Sequence, residues 1–153
     1  MSLLGQSAPE FTLYDTKRVA HTLSSYRGKK VVLAFFPAAF TGVCEKELCT
    51  FRDALADLND LNATVFGIST DSPFANAAFA AKNDLNFPVL SDYNKTAIAA
   101  YDVVFENLAG LPGFNVAKRS VFIVDENGTI SYAWVGPNPG VEPDYAAVKA
   151  ALA

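Results

Sequence analysis

Apolar and polar positions follow two rhythms along this chain, and each predicts a different kind of element. Residues 31–36 form an unbroken apolar run closed by Pro37, which predicts a buried strand. Residues 64–69 read as the next buried strand, and residues 119–124 and 129–135 as two more joined by the turn Asp125-Glu126-Asn127-Gly128. Near the N-terminus, Phe11-Thr12-Leu13 and residues 19–23 alternate about a turn-like 15–18, which predicts an edge hairpin ahead of the main sheet. Residues 24–30 make a polar turn, and 87–92 a short extended piece.

The helical rhythm starts after the first buried strand. Cys44, Leu48, Phe51, Leu55 and Leu58 recur at intervals of four and three, one stripe facing a sheet, before a turn at 59–62. Cys49 lies off that stripe, roughly 140° round the helix from Cys44, on the side shared with Arg52, Asp53 and Ala56. Asp71-Ser72-Pro73 signals the start of an alanine-rich helix over about 74–84. Residues 95–101 predict a short helix, 106–113 a loop and 145–152 a closing helix. Strands alternating with helices imply an α/β fold with a mixed sheet covered on both faces.

Composition narrows the function classes. With 153 residues, 51% apolar and 18% charged, the chain suits one domain spanning 1–153, and disorder is excluded. A formal charge of -4 without a Lys/Arg cluster removes the footprint of a nucleic-acid binder. No apolar run approaches membrane-spanning length and no signal-like segment opens the chain, so neither a membrane nor an exported location is expected; a cytoplasmic one is. Two cysteines five apart match no zinc spacing, and one histidine leaves too few soft ligands, so no metal is expected. In a reducing compartment such thiols suit redox chemistry better than a structural bridge. His21, in the hairpin, reads as a surface residue, and Trp134 as core or interface.

Cys44 stands where a strand gives way to a helix. Unpaired N–H groups and the positive end of the helix dipole favour a thiolate there, more so beside a guanidinium. Pro37 ends the strand, Thr41 offers a hydroxyl three residues before the sulfur, and Gly42 permits close backbone approach. The pattern Pro37-x-x-x-Thr41-x-x-Cys44, after a strand and opening a helix, resembles the active site of the peroxiredoxins. The opening Pro9-Glu10-Phe11-Thr12-Leu13 is similar to the family's N-terminal segment.

The resemblance implies a thioredoxin-like fold with an N-terminal β-hairpin extension and an inserted middle segment. It also implies a thiol peroxidase without metal or organic cofactor. Cys44 would attack hydrogen peroxide or an alkyl hydroperoxide, becoming a sulfenic acid. Thr41 would contact the peroxide oxygens, Pro37 would shield the thiolate, and Arg119 would supply the cation from the start of its strand, with Lys118 as the substitute in a shifted register. Glu47 matches a family position that fixes arginines. Phe36, Phe40 and Phe87 are candidate pocket walls. A thioredoxin-like or glutaredoxin-like donor would restore the thiols, and the family often forms homodimers.

Cys49 divides the possibilities. In an intact helix, residues five apart are roughly 8 to 9 Å apart at Cα, whereas a disulfide needs less than about 7 Å. A Cys44–Cys49 bond therefore requires the first turns to unwind. The PrxQ or bacterioferritin-comigratory branch has this spacing and forms that bond, which makes Cys49 the resolving thiol. The wording Phe-Phe-Pro-Ala-Ala-Phe-Thr-Gly-Val-Cys is closer to the one-cysteine AhpE-like branch, which uses an external thiol. A thioredoxin-type disulfide oxidoreductase would need a Cys-x-x-Cys spacing that is absent here. A peroxide-sensing interaction protein would be oxidised without turning over.

Overall fold

The computed structural model describes residues 2–42, 45–50, 52–53 and 63–152. The expected Cys44, the stripe positions Phe51, Leu55 and Leu58, and the turn at 59–62 lie outside the described residues.

The longest apolar runs become the middle of the sheet. Strands β1 (Thr12–Tyr14), β2 (Ala20–Thr22), β3 (Lys30–Phe35), β4 (Ala63–Ser69), β5 (Val89–Ser91), β8 (Ser120–Val124) and β9 (Ile130–Val135) form a seven-stranded sheet in the order β2-β1-β5-β4-β3-β8-β9. β3 runs parallel to β4 and antiparallel to β8, so Val31, Val32, Leu33, Ala34 and Phe35 of this central strand are paired on both sides. The hairpin β1–β2 joins at one edge through a single pairing of Tyr14 with Ser91.

Because successive strand residues point to opposite faces, β3 builds two cores at once. Val31, Leu33 and Phe35 meet Phe66, Phe122, Ile98 and Tyr101 on one face, where helix α3 (Thr96–Ala100) packs. Val32, Ala34 and Phe36 meet Val65, Val121 and Ile123 on the other. That second face receives Leu48 from helix α1 (residues 45–50), Phe79 from α2 (Pro73–Lys82), and Val148 and Leu152 from α4 (Tyr145–Leu152).

Three expectations change. The polar turn at 24–30 contains a 3-10 helix, Leu23–Tyr26, whose Leu23 is buried. The loop at 106–113 is the tip of a small antiparallel pair, β6 (Val104–Phe105) with β7 (Val116–Ala117), too short for periodicity to reveal. His21 is not a surface residue. Its ring is half-buried against Phe66, with Nε2 2.8 Å from Asp15 Oδ2 and Nδ1 2.7 Å from the Tyr26 hydroxyl. Two polar partners and an aromatic platform let an edge hairpin bury an imidazole.

Phe79 is the pin of the second face. Its buried ring stacks on Phe36 at 5.6 Å and meets the edge of exposed Phe40 at 5.5 Å. Phe79→Ala is expected to lower unfolding free energy by about 3 to 5 kcal/mol, measured by denaturant titration. Phe40→Ala, which removes a ring already facing water, should cost under about 1 kcal/mol in the same assay.

Candidate active site

The strand-to-helix crossing after β3 is fastened from below. Pro37 is buried, and the Ala39 amide donates to Asp71 Oδ2 at 2.7 Å. Asp71 also lies 3.0 Å from the Ser69 hydroxyl, at the end of β4. The sequence marks Asp71 and Ser72 together as a helix start; in the structure they divide the work. Ser72 caps α2 by accepting from the Ala75 amide, which leaves Asp71 to hold the loop. Thr41 is exposed, its carbonyl accepting from the Glu45 amide to begin α1 while its hydroxyl donates to the Ala38 carbonyl at 3.2 Å. Phe40 reaches this position with φ 66°, a left-handed conformation uncommon outside glycine.

One turn into α1, Glu47 points into the protein. Arg119, the residue before β8, meets it there: Nη1 donates to Glu47 Oε1 at 2.6 Å, and both side chains are almost wholly buried. Arg119 Nε donates to the Pro139 carbonyl at 3.1 Å, and the Arg119 carbonyl accepts from the Gly136 amide. Gly136 sits so close that an added Cβ would lie 3.1 Å from that carbonyl. The backbone amide of Lys118, the residue before Arg119, donates to the Val103 carbonyl.

A third layer closes over the pair. Glu142 accepts from the Tyr145 hydroxyl at 2.8 Å and from Lys46 at 3.1 Å, which ties the 136–142 segment to both α4 and α1. Burial alone would raise the Glu142 carboxyl, but the hydrogen bonds from Tyr145 and Lys46 hold it below the ordinary range. For Glu47 the balance goes the other way. Burial pushes its carboxyl up to about 7, against the opposing pull of Arg119, with Glu142 adding to the rise. Its Oε2 has no hydrogen-bond partner among the described residues.

The structure thus brings Arg119 and Glu47 together in the turn that follows residue 44. Phe36 and Phe87 are not open walls. Both are buried and converge over Gly67, where an added Cβ would meet each ring at 3.5 Å. Phe40 alone of the three presents a face to solvent. Cys49 is half-buried on the far side of α1, donating to Asn83 Oδ1 at 3.5 Å, and Arg52 faces the same residue, as the helical wheel predicts. Asp71, Pro139 and Glu142 escaped the sequence reading because each acts across a long separation; only Asp71, beside a cap signal, left a trace. Among the described residues no group of histidine, cysteine and carboxylate side chains is placed to hold a metal ion, and no helix is long and apolar enough to cross a membrane.

Comparison with known proteins gives one family. The sequence model of the AhpC/TSA family matches residues 4–133. The chain is 37% identical over 131 residues to a putative peroxiredoxin bcp of Coxiella burnetii, covering 86% of this chain and 87% of that one. It is 38% identical to alkyl hydroperoxide reductase E of Mycobacterium tuberculosis, covering 85% and 83%. Among solved structures, the peroxidoxin BcpB of Mycobacterium tuberculosis superposes with a TM-score of 0.86 at 29% identity, covering 99% and 97%. Peroxiredoxin Q of Xanthomonas campestris gives 0.82 at 29% identity, covering 93% and 89%. The fold is accordingly thioredoxin-like.

The raised Glu47 carboxyl has a measurable sign. The folded chain keeps this proton up to about 7, whereas the unfolded chain releases it near 4.5. Stability from this group is therefore fully present below about pH 4.5 and is lost as pH rises through about 7, by about 3 kcal/mol in all. Relative to Glu47→Gln, the unmodified chain should lose stability between pH 5 and 8 in urea titrations. Glu47→Ala, which takes the carboxyl partner from a buried guanidinium, should cost about 3 to 5 kcal/mol at pH 5 and, because it lacks the titrating group, less at pH 8.

Proposed function

The chain belongs to the AhpC/TSA family of peroxiredoxins, and on that premise we propose that Cys44 is the thiol that reduces the peroxide. The observation that supports the reading is the buried Arg119–Glu47 pair, a permanent cation held at the residue three positions after the motif cysteine in the sequence. A guanidinium offers planar donors for a peroxide oxygen and favours a neighbouring thiolate. The thiolate attacks one oxygen of hydrogen peroxide or an alkyl hydroperoxide, the O–O bond breaks, and water or an alcohol leaves with a proton. Cys44 is left as a sulfenic acid.

In this reading Thr41 and backbone amides orient the substrate, Pro37 limits water at the sulfur, and Arg119 stabilises charge on the departing oxygen. Cys49 then condenses with the sulfenic acid, a disulfide forms and water leaves. A thioredoxin-like or glutaredoxin-like dithiol restores both thiols by exchange. The hydrogen bond that occupies Cys49 at Asn83 favours a second reading, in which an external thiol reduces Cys44 and Cys49 stands by.

Intact mass after one equivalent of hydrogen peroxide separates the two. A loss of about 2 mass units in the monomer is the expected disulfide, and a gain of about 16 is the one-cysteine outcome. Cys44→Ser should abolish peroxide consumption; persistence of activity in that variant would overturn the assignment. Arg119→Lys, which keeps the charge but loses the planar donors, should slow the first oxidation about a hundredfold, read by stopped-flow fluorescence of Trp134.

A further inference from the structure

Helix α1 is fastened along one side to the C-terminal end of α2. Glu45 Oε1 accepts from Lys82 Nζ at 3.0 Å, the Cys49 thiol donates to Asn83 Oδ1 at 3.5 Å, and Arg52 Nη1 donates to the Asn83 carbonyl at 2.6 Å. The Asn83 amide is itself fixed. Its Nδ2 donates to the Phe79 carbonyl at 3.0 Å, which turns Oδ1 toward the thiol, and Phe79 is anchored in the core. Cys49 is therefore held by a residue whose own orientation is set from behind.

Residues 45–50 are helical, and a disulfide across five residues cannot close while that helix stands. All three attachments bridge the segment that has to move.

We propose that Asn83 is a positioning residue that holds Cys49 back, so that the end of α2 sets how long the Cys44 sulfenic acid waits for its partner. The inference rests on the reading in which Cys49 resolves Cys44. Two reactions compete for that sulfenic acid. In closure, the Cys49 thiol displaces its hydroxyl, an S–S bond forms and water leaves. In overoxidation, a second peroxide transfers an oxygen to the same sulfur, leaving a sulfinic acid and water or an alcohol. A tight hold at Asn83 favours the second, and a loose one favours the first.

The test is the product ratio in reduced full-length protein mixed with increasing hydrogen peroxide, quenched in acid and weighed intact. Closure reads as a loss of about 2 mass units and overoxidation as a gain of about 32. Asn83→Ala should close about three- to tenfold faster, the scale of one lost hydrogen bond, raising by the same factor the peroxide concentration that gives the two products equally. Asn83→Asp gives up the Nδ2 bond to Phe79 but places a carboxylate, a stronger acceptor than an amide, beside the thiol, and should leave that concentration at or below the unmodified value. A residue that merely stiffened the helix end would shift both variants the same way. Arg52→Ala, a surface change that frees the Asn83 carbonyl, should shift the ratio in the direction of Asn83→Ala and serves if that variant folds poorly. Closure that is unchanged in Asn83→Ala and Arg52→Ala overturns the hold while leaving Cys49 as the resolving thiol. Absence of the disulfide product in every protein overturns the resolving reading and the hold with it.

Discussion

A guanidinium and a carboxyl group buried together, 2.6 Å apart, govern how the rest of this structure is arranged. Taking a permanent cation out of water costs several kcal/mol unless its donors are met. Arg119 cannot shed its charge, so the fold must bring acceptors to it: Glu47 from a helix, and the Pro139 carbonyl from the chain beyond β9. Three segments far apart in sequence are thereby drawn to one point. The carboxyl is the adjustable member, because burial and Arg119 act on its proton in opposite directions.

The sheet makes that convergence geometrically available. β3 and β8 are antiparallel neighbours, so the C-terminal end of β3, where the crossing to α1 begins, lies beside the start of β8: Phe35 pairs with Ser120, next to Arg119. The apolar residues that send β3 through the middle of the molecule thus also set the site's position. On the face shared by α1, α2 and α4, Phe79 joins core to surface, touching Phe36 below and Phe40 above. The loop between them is held by Asp71 from the neighbouring strand's end.

What could be read from the sequence was what local periodicity and spacing encode. The unbroken apolar run before Pro37 and the strand after Lys118 each occupy their expected places, because a strand buried on both faces leaves a run that nothing else mimics. The pairing of Glu47 with Arg119 was within reach, because a motif supplied one end and the strand start the other. β6 and β7 were not, since two residues carry no rhythm. Pro139 and Glu142 were invisible for another reason: their roles exist only once distant segments meet. His21 misled because edge hairpins usually face water, whereas here Asp15, Tyr26 and Phe66 supply both polar partners and a hydrophobic floor.

The segment 136–142 gives the site a boundary that the motif does not have. It contributes a carbonyl to Arg119 through Pro139 and a carboxylate clamp through Glu142, and its Gly136 lies so close to the Arg119 backbone that an added Cβ would press on it. A graft of residues 37–49 onto another scaffold would transplant the motif without the brace that keeps Arg119 in register. The portable unit of this protein is therefore longer than its signature. Sequence drift in an unremarkable proline-glycine stretch can shift a buried ion pair whose own residues never change.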